Sequence, residues 1–298
     1  MDFRQLETFI EVVKLKSFSK AAEKLFITQP TVTNHIQNLE KELGTLLINR
    51  MGKNISLTQA GSILYTNSLN IINSFEMTKF ELDAFKGRIQ GNLDIVSSSV
   101  PRKYYLPKLI KEFYCLYPEV TFTVIDNDSK EVVTGIIDGE FEFGIVGAKY
   151  ESYNVEYISI MMDNLVLIAP TDFMPHIDNF GEIDINDILS SSFIFREEGS
   201  GTRKVLINQL EKIGISIDTL RTVAYIEDTE SIKELVSLGV GLSFVSIKAV
   251  DDDIKLGKYK AFNVTGLDLT REFYLVYHKS RQLSPLCETF KDFVLKQK

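Results

Sequence analysis

The chain has 298 residues, 44% hydrophobic and 25% charged, which fits a soluble globular protein of two or three domains. No apolar run approaches the roughly 18 residues of a membrane helix, and the opening MDFRQLETFI lacks the basic-then-apolar layout of a secretory leader. Net charge is −8, unevenly spread: residues 1–90 carry 11 positive and 9 negative side chains, so the acidity belongs to the remaining 208 residues and an N-terminal module can still meet phosphates. Cys115 and Cys287 make no CxxC and read as free thiols, and His35, His176 and His278 show no ligand spacing, so no metal is expected.

The first 60 residues read as helices. Phe3, Leu6, Phe9, Ile10 and Val13 recur at helical spacing. Ser19 is a candidate N-cap for a second helix, with Ala21, Ala22, Leu25 and Phe26 turned inward and the two alanines small enough for a close helix crossing. A short turn at Ile27-Thr28 follows. Thr28 is placed to cap a third helix, and Pro30 sits in its first turn, where a missing N–H costs nothing. Val32, Ile36, Leu39 and Leu43 form its buried stripe and Gly44 ends it, which makes a helix–turn–helix. LLINRMGKNISLT then reads as two short strands, a wing that carries Arg50 and Lys53.

Residues 58–86 read as one long helix capped by Thr58. Leu64, Ile71, Thr78 and Phe85 alternate with Ser68, Phe75 and Leu82 at coiled-coil spacing, the pattern of a dimerisation spacer. Gly87–Gly91 breaks it as a hinge. From residue 92, apolar strands (NLDIVSSS, VTFTVID, FEFGIVG, NLVLIAP, FIFREE, VAYIED, LSFVS, REFYLVYHK) are interleaved with amphipathic helices beginning near Leu106, Ser129, Gly201, Thr229 and Pro285. That rhythm indicates α/β sheets with right-handed crossovers, and about 200 residues of it indicates two lobes around a cleft.

FRQLETFIEVVKLKSFSKAAEKLFITQPTVTNHIQNLEKELGTLLINR and SLTQAGSIL resemble the LysR-type transcriptional regulators in the order of every motif. The resemblance continues through GNLDIVSSSVPRKYYLP, FEFGIVG, REEGSGTRKVL and GVGLSFV, so it spans essentially the whole chain. It implies an α+β multidomain protein: a winged helix–turn–helix over residues 1–58, a linker and dimerisation helix with its hinge over 59–91, and a two-lobed α/β effector domain over 92–298, similar to periplasmic binding proteins. Lobe I would comprise 92–165 and 268–298, and lobe II 166–267. It also implies a cytoplasmic homotetramer that binds double-stranded DNA and a small effector.

The front of a recognition helix enters the major groove. Gln29, Thr31, Asn34 and His35 fall on the face opposite Val32 and Ile36, Pro30 opens that helix, and Thr28 and Thr33 suit phosphate bonding. Many relatives carry Arg where this chain has Asn34, which leans the expected site toward A·T pairs. In the cleft, Ser98 and Ser99 lie at a strand's C-terminal end, and Glu198-Gly199-Ser200-Gly201-Thr202 opens a helix whose amides and hydroxyls converge on an anion. Gly147 and Thr229 fall at the same edge, and the family's effector pocket is commonly lined at the positions of Ser98, Ser99 and Thr202. The expected ligand is a small carboxylate or inorganic oxyanion, with no further cofactor. GxSxG, GxxxxGK[ST] and HExxH are all absent, so no catalytic residues are expected.

Overall fold

The computed structural model describes residues 1–51, 54–85, 89–178 and 181–297. At the N-terminus three helices lock together: α1 (Phe3–Leu15), α2 (Phe18–Lys24) and α3 (Gln29–Leu43). Asp2 and Gln5 close a reciprocal capping box at the start of α1. Ser17, two residues before the expected cap, accepts from Lys20 N at the start of α2. Ala21 and Ala22 sit at the helix crossing among Leu6, Phe9, Val12, Val32, Ile36 and Leu39. Phe26, expected inward, is 95% exposed, because it occupies the left-handed turn between the helices with φ 55°. Leu43 is also exposed, since the last turn of α3 runs past the core before Gly44 ends it in the left-handed conformation.

The hairpin β1 (Ile48–Met51) and β2 (Asn54–Leu57) is the wing. Glu40 on α3 accepts from the Leu47 and Ile48 amides and fixes its root. Thr58 joins it to α4 (Gln59–Phe85): its hydroxyl donates to Leu46 O at 2.7 Å and accepts from Gly61 N at 2.9 Å. The seam expected along α4 divides. Ser68 is fully buried and Leu64 packs against the N-terminal core, whereas Ile71, Phe75 and Leu82 are exposed. Asn70 and Asn73 also tie α4 to the backbone of Ser280 and Gln282.

In the C-terminal part, β3 (Gln90–Ser97) pairs in parallel with β4 (Glu119–Asp126) and β5 (Phe143–Val146). α5 (Ser99–Tyr104), α6 (Leu106–Leu116) and α7 (Ser129–Asp138) connect these strands. The 15-residue β6 (Val155–Ala169) runs out of this sheet into a second one. There it meets β7 (Glu182–Ile183) through β11 (Lys260–Val264), and β10 (Ser243–Ser246) directly. β8 (Ser192–Phe195) and β9 (Arg221–Tyr225) pair in parallel beside β10, with α8 (Gly201–Lys212), α9 (Thr229–Ser237) and the short α10 (Asp251–Lys255) around them. β12 (Thr270–His278) returns antiparallel along β6 and pairs with β5, and α11 (Pro285–Lys296) closes the chain.

Each sheet has its own core. One gathers Phe113, Phe143, Phe273 and Phe290; the other gathers Phe193, Phe195, Leu206 and Phe244. Among the described residues only β6 pairs in both sheets, while β12 runs antiparallel along its first part and Leu269, just before β12, accepts from Leu165 N, so the two bodies are joined at one antiparallel crossing. Thr58→Ala removes a cap and a wing-to-helix bond; it should cost about 1–2 kcal/mol of stability in urea denaturation, and Thr58→Ser should restore most of it.

Candidate functional site: a recognition helix and an inter-lobe cavity

The front of α3 faces outward. Thr28 caps it with extended backbone, and its Oγ1 accepts from Thr31 N at 3.4 Å and pairs with Thr31 Oγ1 at 2.8 Å. Gln29, Pro30 and Asn34 are exposed and Thr31 is half-buried. Two expected contacts differ. Thr33 Oγ1 donates to Gln29 O one turn back, which leaves that hydroxyl only acceptor capacity and no proton for a phosphate. His35 turns back onto α1, with Nδ1 2.8 Å from Thr8 Oγ1. The Thr8 proton goes to Arg4 O at 2.7 Å, so His35 Nδ1 carries the proton and donates. This bond locks α3 onto α1 and takes His35 off the reading face. The Arg50 side chain and Lys53 lie outside the described residues.

A cavity of about 320 Å³ opens between the two sheets. Ser98 and Ser99 reach it because β3 ends there, at the carboxyl edge of parallel strands. Ser129, missed in the sequence, begins α7 on the same wall, and its Oγ accepts from Gly147 N. Across the gap, Ser200, Gly201 and Thr202 form the first turn of α8. A Cβ on Gly201 would lie 2.9 Å from Gly147 C, and one on Gly199 would lie 1.9 Å from Asp128 Oδ2. Both must be glycine for the two bodies to approach this closely. Thr229 stands behind the wall, where its hydroxyl accepts from Arg196 Nη1.

Two buried arginines that the sequence did not single out shape the floor. Arg196 grips both carboxylate oxygens of Glu197 at 2.7 Å and donates to Ser99 Oγ at 3.1 Å, so one guanidinium spans both bodies. Arg271 on β12 pairs with Asp163 on β6 at 2.8 Å and donates to Thr202 Oγ1 at 3.0 Å. Ser246 donates to the other Asp163 oxygen at 2.7 Å. Burial pulls Arg271 below the usual arginine range, and Asp163 pulls against it. Its Nη2 is buried with no partner among the described residues. At the rim Arg102 pairs with Asp126 at 2.6 Å, and Asp228, the N-cap of α9, is held below the usual carboxylate range mainly by the Ser231 backbone N–H. Burial would raise Glu230, but hydrogen bonds from Lys103 and Lys233 leave it lowered, and Lys103–Glu230 bridges the two bodies. The first turns of α7 and α8 and the Asp228 cap of α9 border this hydroxyl-rich space, whose lining carries more carboxylates than arginines. Among the described residues no cluster of His, Cys, Asp or Glu has the makings of a metal site, and no helix is long and apolar enough to cross a membrane.

The family model "LysR substrate binding domain" matches residues 86–298, and "Bacterial regulatory helix-turn-helix protein, lysR family" matches residues 3–62. The chain belongs to the LysR family of transcriptional regulators. It is 32% identical over 292 residues to the HTH-type transcriptional regulator CysL of Bacillus subtilis, covering 98% of this chain and 94% of that one. It is 34% identical over 290 residues to the uncharacterized HTH-type transcriptional regulator MJ0300 of Methanocaldococcus jannaschii, covering 97% of each. Among solved structures it resembles full-length CbnR complexed with its target DNA, with TM-score 0.57, 22% identity and full coverage of both chains. It also resembles the effector-binding domain of QuiR in complex with shikimate, with TM-score 0.62, 20% identity, and coverage of 70% of this chain and 97% of that one. In this LysR-type regulator the inter-lobe cavity lies wholly within the part matched by the substrate-binding model.

Asp163→Asn should cost about 3–5 kcal/mol, because it strands the Arg271 cation in the interior. The apolar pair Asp163→Leu with Arg271→Met should recover most of that loss in thermal unfolding.

Proposed function

We propose that this regulator reads DNA with Gln29, Thr31 and Asn34, and that a compact anion held in the inter-lobe cavity sets how it does so. The single observation that carries the ligand reading is the convergence of Ser98, Ser99, Ser129, Ser200 and Thr202 hydroxyls with three helix N-termini over buried Arg196 and Arg271. A carboxylate or oxyanion takes hydroxyl and amide protons from both walls at once, and so favours the closed arrangement of the lobes. Its size is limited by a volume at the small end of ligand cavities. Shikimate in QuiR, a hydroxylated carboxylate, is the same kind of molecule in a domain of the same fold.

On the DNA side, amide side chains at Gln29 and Asn34 match adenine edges, and no cation stands at position 34 to favour guanine. Reader, linker helix and effector domain follow one another with limits at about residues 58 and 91, a reading supported by the starts of α4 at Gln59 and β3 at Gln90, and the lobes exchange near the β6 crossing.

The assembly reading is a homotetramer in the cytoplasm. Two separate exposed apolar surfaces support it. One is the α4 face of Ile71, Leu82 and Phe75, the last resting on Phe3; the other set comprises Tyr114 and Leu116 on α6 and Val124 on β4, with Val223 and Tyr225 on β9 and Leu238 at the end of α9. Two self-complementary interfaces on one chain generate a dimer of dimers.

Gln29→Ala and Thr31→Ala should each lose about 1–3 kcal/mol of discrimination between selected and random DNA in gel shifts, with unfolding unchanged; unaltered discrimination refutes the reading. Calorimetric titration with a panel of small carboxylates and oxyanions should find one that binds the wild type and is lost in Ser98→Ala with Thr202→Ala. Equal binding by both would remove the site.

A further inference from the structure

The cavity and the DNA-binding core meet opposite ends of one helix. The ten residues of α7 start with Ser129 in the cavity wall, capped by Asp128 and Glu131. The helix is held stiff against the sheet by Val132, Val133 and Ile136, which pack with Val96, Val146 and Val276. It ends at Gly139, in the left-handed conformation with φ 80°, directly beneath Tyr65 of α4. A Cβ at Gly139 would stand 2.6 Å from the Tyr65 hydroxyl, so contact is backbone against phenol with no space for a side chain. Arg281 clamps the junction: Nη1 and Nη2 donate to Ile136 O and Ile137 O at 2.6 and 2.8 Å, and the guanidinium lies 5.7 Å from the Tyr65 ring. Tyr65 is itself part of the N-terminal core, edge-on to Phe9 of α1 at 6.4 Å.

We infer that α7 is the rod through which cavity occupancy reaches the DNA-binding domain, with Gly139, Arg281 and Tyr65 as its contact. This rests on the cavity being the effector site. A ligand that draws on the first turn of α7 shifts or tilts a helix about 15 Å long, and the far end presses on, or releases, the root of α4. Two features mark this contact as one of two alternative states. The Tyr65 hydroxyl and Arg281 Nε are both buried with no partner among the described residues, a penalty that hydration would relieve when the contact opens. Beside the contact lies a cavity of about 640 Å³, bounded by Ile55 and Leu57 of the wing, Tyr65, Ile137 and Arg281, into which the helix end has room to move. A packed contact with a costly closed state and space alongside is the bistable element that coupling between distant sites requires.

Linkage is reciprocal, so DNA must change the cavity if the cavity changes DNA binding. The test therefore needs no known effector. The full-length protein is mixed with the genomic fragment it selects most strongly, and amide hydrogen exchange is followed across residues 98–102 and 128–132. DNA should alter exchange there by about fivefold or more in the wild type. The effect should fall below about twofold in Tyr65→Phe and in Arg281→Gln, while both variants still bind the fragment. Gly139→Ala should decouple as well, and Tyr65→Phe in that background should relieve its steric loss of stability. Fragment binding with no change at 128–132 in the wild type, or with the same change in the variants, overturns the rod. A protein that selects no fragment overturns the regulator reading itself and the rod with it.

Discussion

One ion pair fixes the geometry on which the inter-lobe cavity depends. Arg271 on β12 and Asp163 on β6 face each other where β6 passes from the first sheet into the second, and the bond is sealed from solvent. A buried cation is tolerable only with a close anion, so neither strand can slip by a residue without a large penalty. The same guanidinium reaches Thr202 at the start of α8, so the register of these two strands also sets where the opposite cavity wall stands. Gly201 resting on Gly147, and Gly199 on Asp128, are consequences of that placement.

Carboxylates outnumber cations in the cavity lining, where Arg102, Arg196 and Arg271 meet Asp126, Asp128, Glu131, Glu197, Glu227 and Asp228. Arg196 has Glu197, Arg102 has Asp126 and Arg271 has Asp163. An anion bound there, as proposed, would compete with these carboxylates, and its discrimination would rest on directed hydroxyls and helix-end amides more than on net field. That arrangement favours a ligand of defined shape over anions at large. It also divides roles between the walls: Ser98, Ser99 and Ser129 belong to elements that continue toward the linker helix, whereas Ser200 and Thr202 belong to the body on the far side of the β6 crossing.

At the other end of the molecule, the N-terminal module is stiffened by the same means, side chains bonded to backbone at element ends. Thr28, Glu40 and Thr58 each satisfy otherwise free amides at a helix start or the wing root. The amphipathic length of α4 then serves two surfaces. Its first half is buried with Tyr65 and Ser68, and its second half leaves Ile71, Phe75 and Leu82 outside. Transmission through Gly139 and Arg281 would act on the first half and leave the exposed stripe free for a second copy.

The amino-acid sequence by itself determined the helix–turn–helix, the wing, the long helix and the alternating α/β pattern, since each rests on local periodicity, caps and turn residues that act within a few positions. It also exposed Ser98, Ser99, Gly147 and Thr202, which sit where strands end and helices begin. Local rules misled where a neighbour distant in sequence intervened. His35 has an outward helical phase, yet Thr8 draws it inward. Phe26 is as apolar as its neighbours, yet the turn's left-handed backbone turns it to solvent. The polar Asp163 concealed the stretch of β6 before Asn164, since Arg271, 108 positions later, is what makes a buried carboxylate there tolerable. Arg196, Arg271 and the junction of Tyr65 with Gly139 were decided by tertiary structure alone: a guanidinium on a strand carries no local mark of burial until the opposite wall is in place.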